Sequence, residues 1–321
     1  MGGEASKGSD FETFLTNYTL QGKLLNQNLG VEAQIFAPNS STPSESTLLA
    51  VLKNELSGEQ SSEYERLKKL VEARKNLSHP NITNLERYGV STAKMCCAEV
   101  VNLRFAFQIS KQTLQEMIAE RQSGKSLSVS GINPLRFDSP VLYDFFDQAS
   151  KALQFFANNN KTCGYIKPAH IFIATLYGNR IFKFLDFSPC LPQDNMYQRM
   201  LVDRDYFAPL DPMLISQYEK KNRNVEFSLE QDLWALGITG LCLAYGRDFM
   251  HYYDFSKPEI NYDRIKNDLR VLNEEGYEVN ILKIISGLLN PNPIERMPLN
   301  IIQSKYLRRG STDIRGSILR F

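Results

Sequence analysis

One tryptophan, three histidines and five cysteines are all that 321 residues contain of those types. The cysteines (Cys96, Cys97, Cys163, Cys190, Cys242) form no CxxC pair, and no His/Cys spacing matches a zinc site. An odd count without a disulfide framework points to reduced, mostly buried thiols and a cytoplasmic setting. No apolar run reaches the roughly 18–20 residues that span a bilayer, and no signal-peptide core is present, so no transmembrane segment is expected. Charge of one sign is also lacking. Thirty-seven basic against thirty-six acidic residues leave a net charge of +1, which removes the field that nucleic acid or an anionic surface would require.

What remains is ordinary globular material, with 42% apolar and 23% charged residues and enough length to bury a large core. Residues 1–17 read as a flexible tail. It opens with Met1-Gly2-Gly3-Glu4-Ala5-Ser6, which fits the N-myristoylation pattern. A myristoylated Gly2 would give only weak membrane contact, because Lys7 alone is no polybasic second signal.

Between residues 18 and 101 the pattern is mostly short extended runs. Leu20–Leu25, Gln34–Ala37, Thr47–Leu52, Leu85–Val90 and Met95–Val101 are the strand candidates. Asn26-Gln27-Asn28-Leu29-Gly30 has hairpin-turn chemistry, and the Pro-interrupted stretch 39–46 reads as a loop. One helix is expected over 62–77, with Ser62 and Glu65 as a capping box.

A hinge is expected near residue 101, and residues 102–307 read as mainly helical. Helices are expected over Gln112–Gln122, from a Ser139 cap to Asn158–Asn160, over Leu229–Tyr245, and over 279–289 and 298–307. Ser123–Pro134 reads as a polar loop. Leu229–Tyr245 is apolar nearly all round, which predicts a helix at the centre of a core. Residues 308–321 read as a second tail. Strands with one helix, followed by a helical half, define an α+β chain.

The stretch Cys163-Gly164-Tyr165-Ile166-Lys167-Pro168-Ala169-His170-Ile171-Phe172-Ile173, with Leu185-Asp186-Phe187-Ser188 after it, resembles the catalytic and metal-binding loops of protein kinases. Other kinase-like markers stand in order over about residues 18–307. They are Asn28-x-Gly30-x-x-Ala33-x-Ile35-Phe36, Ala50-Val51-Leu52-Lys53, His79-Pro80-Asn81-Ile82, Tyr206-Phe207-Ala208-Pro209-Leu210, Ser228-Leu229-Glu230-Gln231-Asp232-Leu233-Trp234-Ala235-Leu236-Gly237 and Asn290-Pro291-Asn292-Pro293-Ile294-Glu295-Arg296. The resemblance implies a bilobal fold, with a small β-rich N-lobe carrying one helix (18–101) and a larger helical C-lobe (102–307).

It also implies which chemistry is missing. A kinase needs phosphate clamps, magnesium ligands and a carboxylate that orients the acceptor hydroxyl. The catalytic aspartate position is Tyr165, and a phenol with a reference pKa of about 10 is a poor base at pH 7. His170 stands where an asparagine holds the second magnesium, and imidazole suits a hard cation badly. Only Gly30 survives of three phosphate-loop glycines. The αC glutamate position is Leu70, with Glu72 about 200° further round the helix.

Gly30, Lys53, Lys167 and Asp186 are the positions through which nucleotide would be held, Asp186 also binding magnesium. The register Leu49-Ala50-Val51-Leu52 fits the lysine strand almost as well, and would turn Lys53 away. Structural markers are retained. Asp232 should accept backbone N–H bonds from the catalytic loop, and Arg296 must find an acceptor other than the glutamate replaced by Leu210.

The expectation is therefore a pseudokinase that binds other proteins as a scaffold or allosteric partner, with weak or no binding of ATP and Mg2+. Two alternatives stay open: a divergent active Ser/Thr kinase using Lys53, Lys167 and Asp186, and a structural subunit of a larger assembly. Cytoskeletal or membrane association would be compatible with any of the three.

Overall fold

A computed structural model describes residues 4–23, 31–39, 48–57, 69, 78–95, 98–123, 136–164, 166–176, 178–185, 210–220, 228–254 and 259–307. The expected turn 26–30, loop 39–46 beyond Asn39, helix 62–77 apart from Lys69, loop 124–134 and tail 308–321 lie outside them. So do Gly30, Cys96, Cys97, Tyr165, Asp186 and Cys190. The protein is α+β, and it divides into two compact units, Met1–Lys111 with Leu185–Tyr206, and Gln112–Phe184 with Phe207–Phe321.

In unit 1 the strands are β1 (Glu4–Lys7), β2 (Tyr18–Lys23), β3 (Val31–Pro38), β4 (Leu48–Ser57), β5 (Leu85–Met95) and β6 (Ala98–Ile109), in sheet order β1-β5-β6-β4-β3-β2. β2 through β6 are antiparallel to their neighbours, and β1 joins the edge parallel to β5. The N-terminal segment read as a tail is thus β1 followed by helix α1 (Gly8–Leu15). The correction has a simple cause. Gly8 and Ser9 look like linker, but Phe11, Phe14 and Leu15 recur at helical spacing and make one apolar face. Phe11 is buried with Leu49, Val51 and Ala106, and Phe14, Leu15, Tyr18 and Phe36 pack around it.

The hinge expected near residue 101 is absent from the chain path. β6 runs through it, because Leu103, Phe105, Phe107 and Ile109 alternate inward and all four are buried. The first of the two stretches that make up unit 1 runs to Lys111.

Unit 2 begins with β7 (Gln112–Thr113), which pairs with β8 (Ile171–Leu176), itself a hairpin partner of β9 (Asn179–Phe184). Helix α2 (Leu114–Gln122) starts on a capping box in which Thr113 and Glu116 exchange bonds. In α3 (Ser139–Asn158) the N-cap position falls on Asp138 rather than Ser139, with no side-chain capping bond, which shifts Pro140 to the second helical position. α4 (Pro212–Glu219), α5 (Leu229–Tyr245), α6 (Tyr262–Glu274) and α7 (Val279–Leu288) follow, and Leu299–Ile301 leads into a π-helical turn over Ile302–Leu307. The sequence reading assigns no element to α4 or α6.

α5 is the centre of this unit, as its composition predicts. Every residue from Gln231 to Ala244 is buried, and the helix packs against α3 and α7. Gly240 permits the contact with α3, since a Cβ there would stand 2.3 Å from the ring of Phe146. Phe145 turns the other way, edge-on to Phe182 of β9 with centroids 5.3 Å apart. α3 is thereby held between α5 and the small sheet.

Candidate functional site

The segment Cys163–His170 links α3 to β8. Its backbone takes a left-handed step at Gly164 (φ 74°), a conformation glycine adopts without strain. Two consecutive amides, those of Cys163 and Gly164, donate to the Asp232 carboxylate at 2.7 and 2.8 Å. Asp232 lies in the first turn of α5 and is 2% exposed. A buried carboxylate must be hydrogen-bonded, and here it ties together segments some seventy residues apart in the chain. The bonds expected for Asp232 are present.

Lys167 takes the extended conformation that a following proline imposes, and Pro168–His170 forms a single 3-10 turn before β8. Lys167 and His170 are both buried, at 6% and 3% exposure. Neither side chain offers an oxygen ligand, and Asp186, the expected magnesium ligand, lies outside the described residues. Among the described residues no group of three or more His, Cys, Asp or Glu side chains converges as a metal site does.

Arg296 closes the second part of the site. Its side chain is fully buried, and its Nη1 donates to Asp211 Oδ2 at 2.6 Å and to the Glu230 carbonyl at 2.6 Å. Nε donates to the Asn290 carbonyl at 2.9 Å, and the guanidinium lies 5.2 Å from the Trp234 ring centroid. Trp234 Nε1 donates to Tyr253 Oη at 3.1 Å, which in turn donates to the Leu210 carbonyl at 2.9 Å. The acceptor that Arg296 was required to find is thus the residue after Leu210. Asp211 also accepts from the Leu214 amide through Oδ1 (2.8 Å), capping α4. That capping gave the missed signal: an aspartate directly before a proline is a helix start.

In unit 1, His79-Pro80-Asn81-Ile82 forms a tight turn. The Asn81 amide donates to His79 Nδ1 at 3.2 Å and the Ile82 amide to the His79 carbonyl at 3.1 Å. On β4, Lys53 pairs across the backbone with Glu32 of β3 and Arg104 of β6, and Leu52 with Ala33 and Phe105. Strand alternation therefore sets Lys53 in the row of Leu49 and Val51, and Leu52 in the row of Ala50. Leu49 and Val51 belong to the cluster under α1. The row of Leu52 has the fully buried Phe105 and Phe107 as cross-strand partners.

Two thiols are described, Cys163 and Cys242, both buried. Burial pushes the Cys242 thiol well above its ordinary value, with Asp248 adding to the effect, so it stays protonated and unreactive.

Beside it lies a polar cluster. Arg247 Nη1 is 2.6 Å from His251 Nε2, and Tyr252 Oη donates to buried Asp268 Oδ2 at 3.0 Å. An arginine can only donate, so Nε2 accepts and the ring is neutral. Burial first, then Arg247, holds His251 below its usual 6.5, against the pull of Asp268. The unfolded chain thus takes up this proton before the folded one. Stability from His251 is fully present above pH 6.5 and is lost as pH falls through the folded value. An NMR titration resolving His251 from His79 and His170 is expected to give a midpoint below 6.5, rising in Arg247→Ala. A midpoint at or above 6.5 in the wild type would contradict the neutral-ring assignment.

No protein-family model matches this chain, and no curated protein matches it in sequence.

Proposed function

We propose that the chain is a catalytically inactive protein-kinase-like domain with a bilobal arrangement, which works by binding other proteins as a scaffold or allosteric partner. The observation that carries this reading is the pair of bonds from Cys163 and Gly164 to Asp232. They serve the part of the kinase-like loop that shapes the backbone, directly before Tyr165 in the place of the catalytic carboxylate. Loss of a general base typically costs about 10²–10⁴ in rate. The Asp211–Arg296 pair supports the same reading, since it keeps a buried arginine satisfied after the usual glutamate has become Leu210.

ATP is held weakly or not at all. The sequence supports this, because only Gly30 survives of the three phosphate-loop glycines, and the register of β4 sets Lys53 in the row of Leu49 and Val51, whose cluster lies under α1. A thermal-shift titration with ATP, with and without magnesium, tests it in the wild type and Lys53→Ala. Ligand at 100 times its Kd stabilises by about 2.7 kcal/mol and moves Tm by a few degrees for a domain of this size. No shift is expected at millimolar ATP. A magnesium-dependent shift that Lys53→Ala abolishes would show a working phosphate clamp and overturn the claim about nucleotide.

A further inference from the structure

α1 lies on one face of the unit 1 sheet as a ligand would lie in a groove. Gly89 of β5 leaves the floor open beneath it, since a Cβ at that position would stand 2.6 Å from the Phe11 Cβ. Leu49, Val51 and Ala106 complete the apolar floor under Phe11. Two cations flank it: Arg87 lies over the Phe14 ring at 4.8 Å and Arg104 over the Phe11 ring at 5.9 Å. Arg104 also pairs with Glu12, the acidic residue between the two phenylalanines. The face thus holds the Phe11-Glu12-Thr13-Phe14 segment of α1 by shape and by charge.

The resident helix is weakly committed to it. α1 has eight residues, well under the roughly 12–15 at which an isolated helix holds in water. Only Phe11 is fully buried, while Phe14 and Leu15 are half-buried and Glu12 is exposed. It is tethered at one end by four residues of parallel edge strand. At the other, the Asn39 amide and side chain donate to the Asn17 and Thr16 carbonyls.

We propose that this sheet face is a docking groove for a partner protein's short amphipathic helix of aromatic-acidic-x-aromatic pattern, and that α1 occupies it in cis until such a helix displaces it. The inference rests on unit 1 alone and is independent of the kinase-like reading.

The probe is a fluorescent peptide copying residues 4–17, added to full-length chains and followed by anisotropy. Phe11→Ala/Phe14→Ala empties the groove without filling it and should bind the peptide saturably. The wild type should bind it about tenfold or more weakly, because the tethered α1 competes at high effective concentration. Adding Gly89→Val to the double variant should abolish binding, since the new side chain fills the space of the Phe11 ring. Where the double variant loses its thermal transition, Phe14→Ala alone carries the same comparison. A folded Phe→Ala variant that fails to bind, or one that binds equally with and without Gly89→Val, would overturn the proposal. A wild-type dimer that the peptide dissociates in sedimentation velocity would also overturn it, in favour of exchange between copies of this chain.

Discussion

Asp211→Ala is expected to destabilise the protein by about 3–5 kcal/mol, the cost of leaving a buried charge without its partner. Arg296 would keep its carbonyl acceptors on Glu230 and Asn290, which satisfy donors but do not neutralise the guanidinium. The same change uncaps α4 by removing the acceptor of the Leu214 amide, worth about 1 kcal/mol more. Arg296→Met leaves the fully buried Asp211 carboxylate unpaired instead and should cost a similar amount. The double variant should lose much less than the sum, because neither charge is then stranded. Trp234, the chain's one tryptophan and fully buried, reports the unfolding by fluorescence in denaturant. Additive losses in the double variant would show that the two residues act independently.

Asp232→Ala is expected to cost about 3–6 kcal/mol, from two charge-assisted bonds of roughly 1.5–3 kcal/mol each. The loss should be local in a way that distinguishes it from the Asp211 variant. The Cys163 and Gly164 amides are the donors, so hydrogen exchange at these two positions should accelerate most. Asp232→Asn should fall between wild type and alanine, since an amide oxygen still accepts but carries no charge. Unchanged exchange at Cys163 and Gly164 in the alanine variant would mean that Asp232 does not anchor this segment.

The site was legible where a residue acts on the backbone. Asp232 sits in the first turn of a helix that is apolar nearly all round; that composition made α5 legible, and the resemblance to protein kinases supplied the task of Asp232. Arg296 was readable as a buried cation, but its partner was not, because the expected position holds Leu210 and the carboxylate had moved by one residue. Strands were found to within a few residues at their starts, and β6 was cut short where Asn102 and Arg104 interrupt the apolar count. Those residues alternate with Leu103 and Phe105 and belong to the strand's other face. α1 was hidden by Gly8 and Ser9, whose linker-like composition outweighed three apolar residues at helical spacing. α6 is similar: an Asn261 cap and buried Ile265 and Leu272 specify it, but its eight charged or amide side chains mask the stripe.

Transfer of labelled γ-phosphate from ATP and magnesium to a general protein substrate, compared in wild type, Asp186→Ala and Tyr165→Asp, tests the inactive reading most directly. Wild type and Asp186→Ala should be indistinguishable from a blank without enzyme. Transfer by the wild type that disappears in Asp186→Ala would establish a working phosphotransferase and contradict the account.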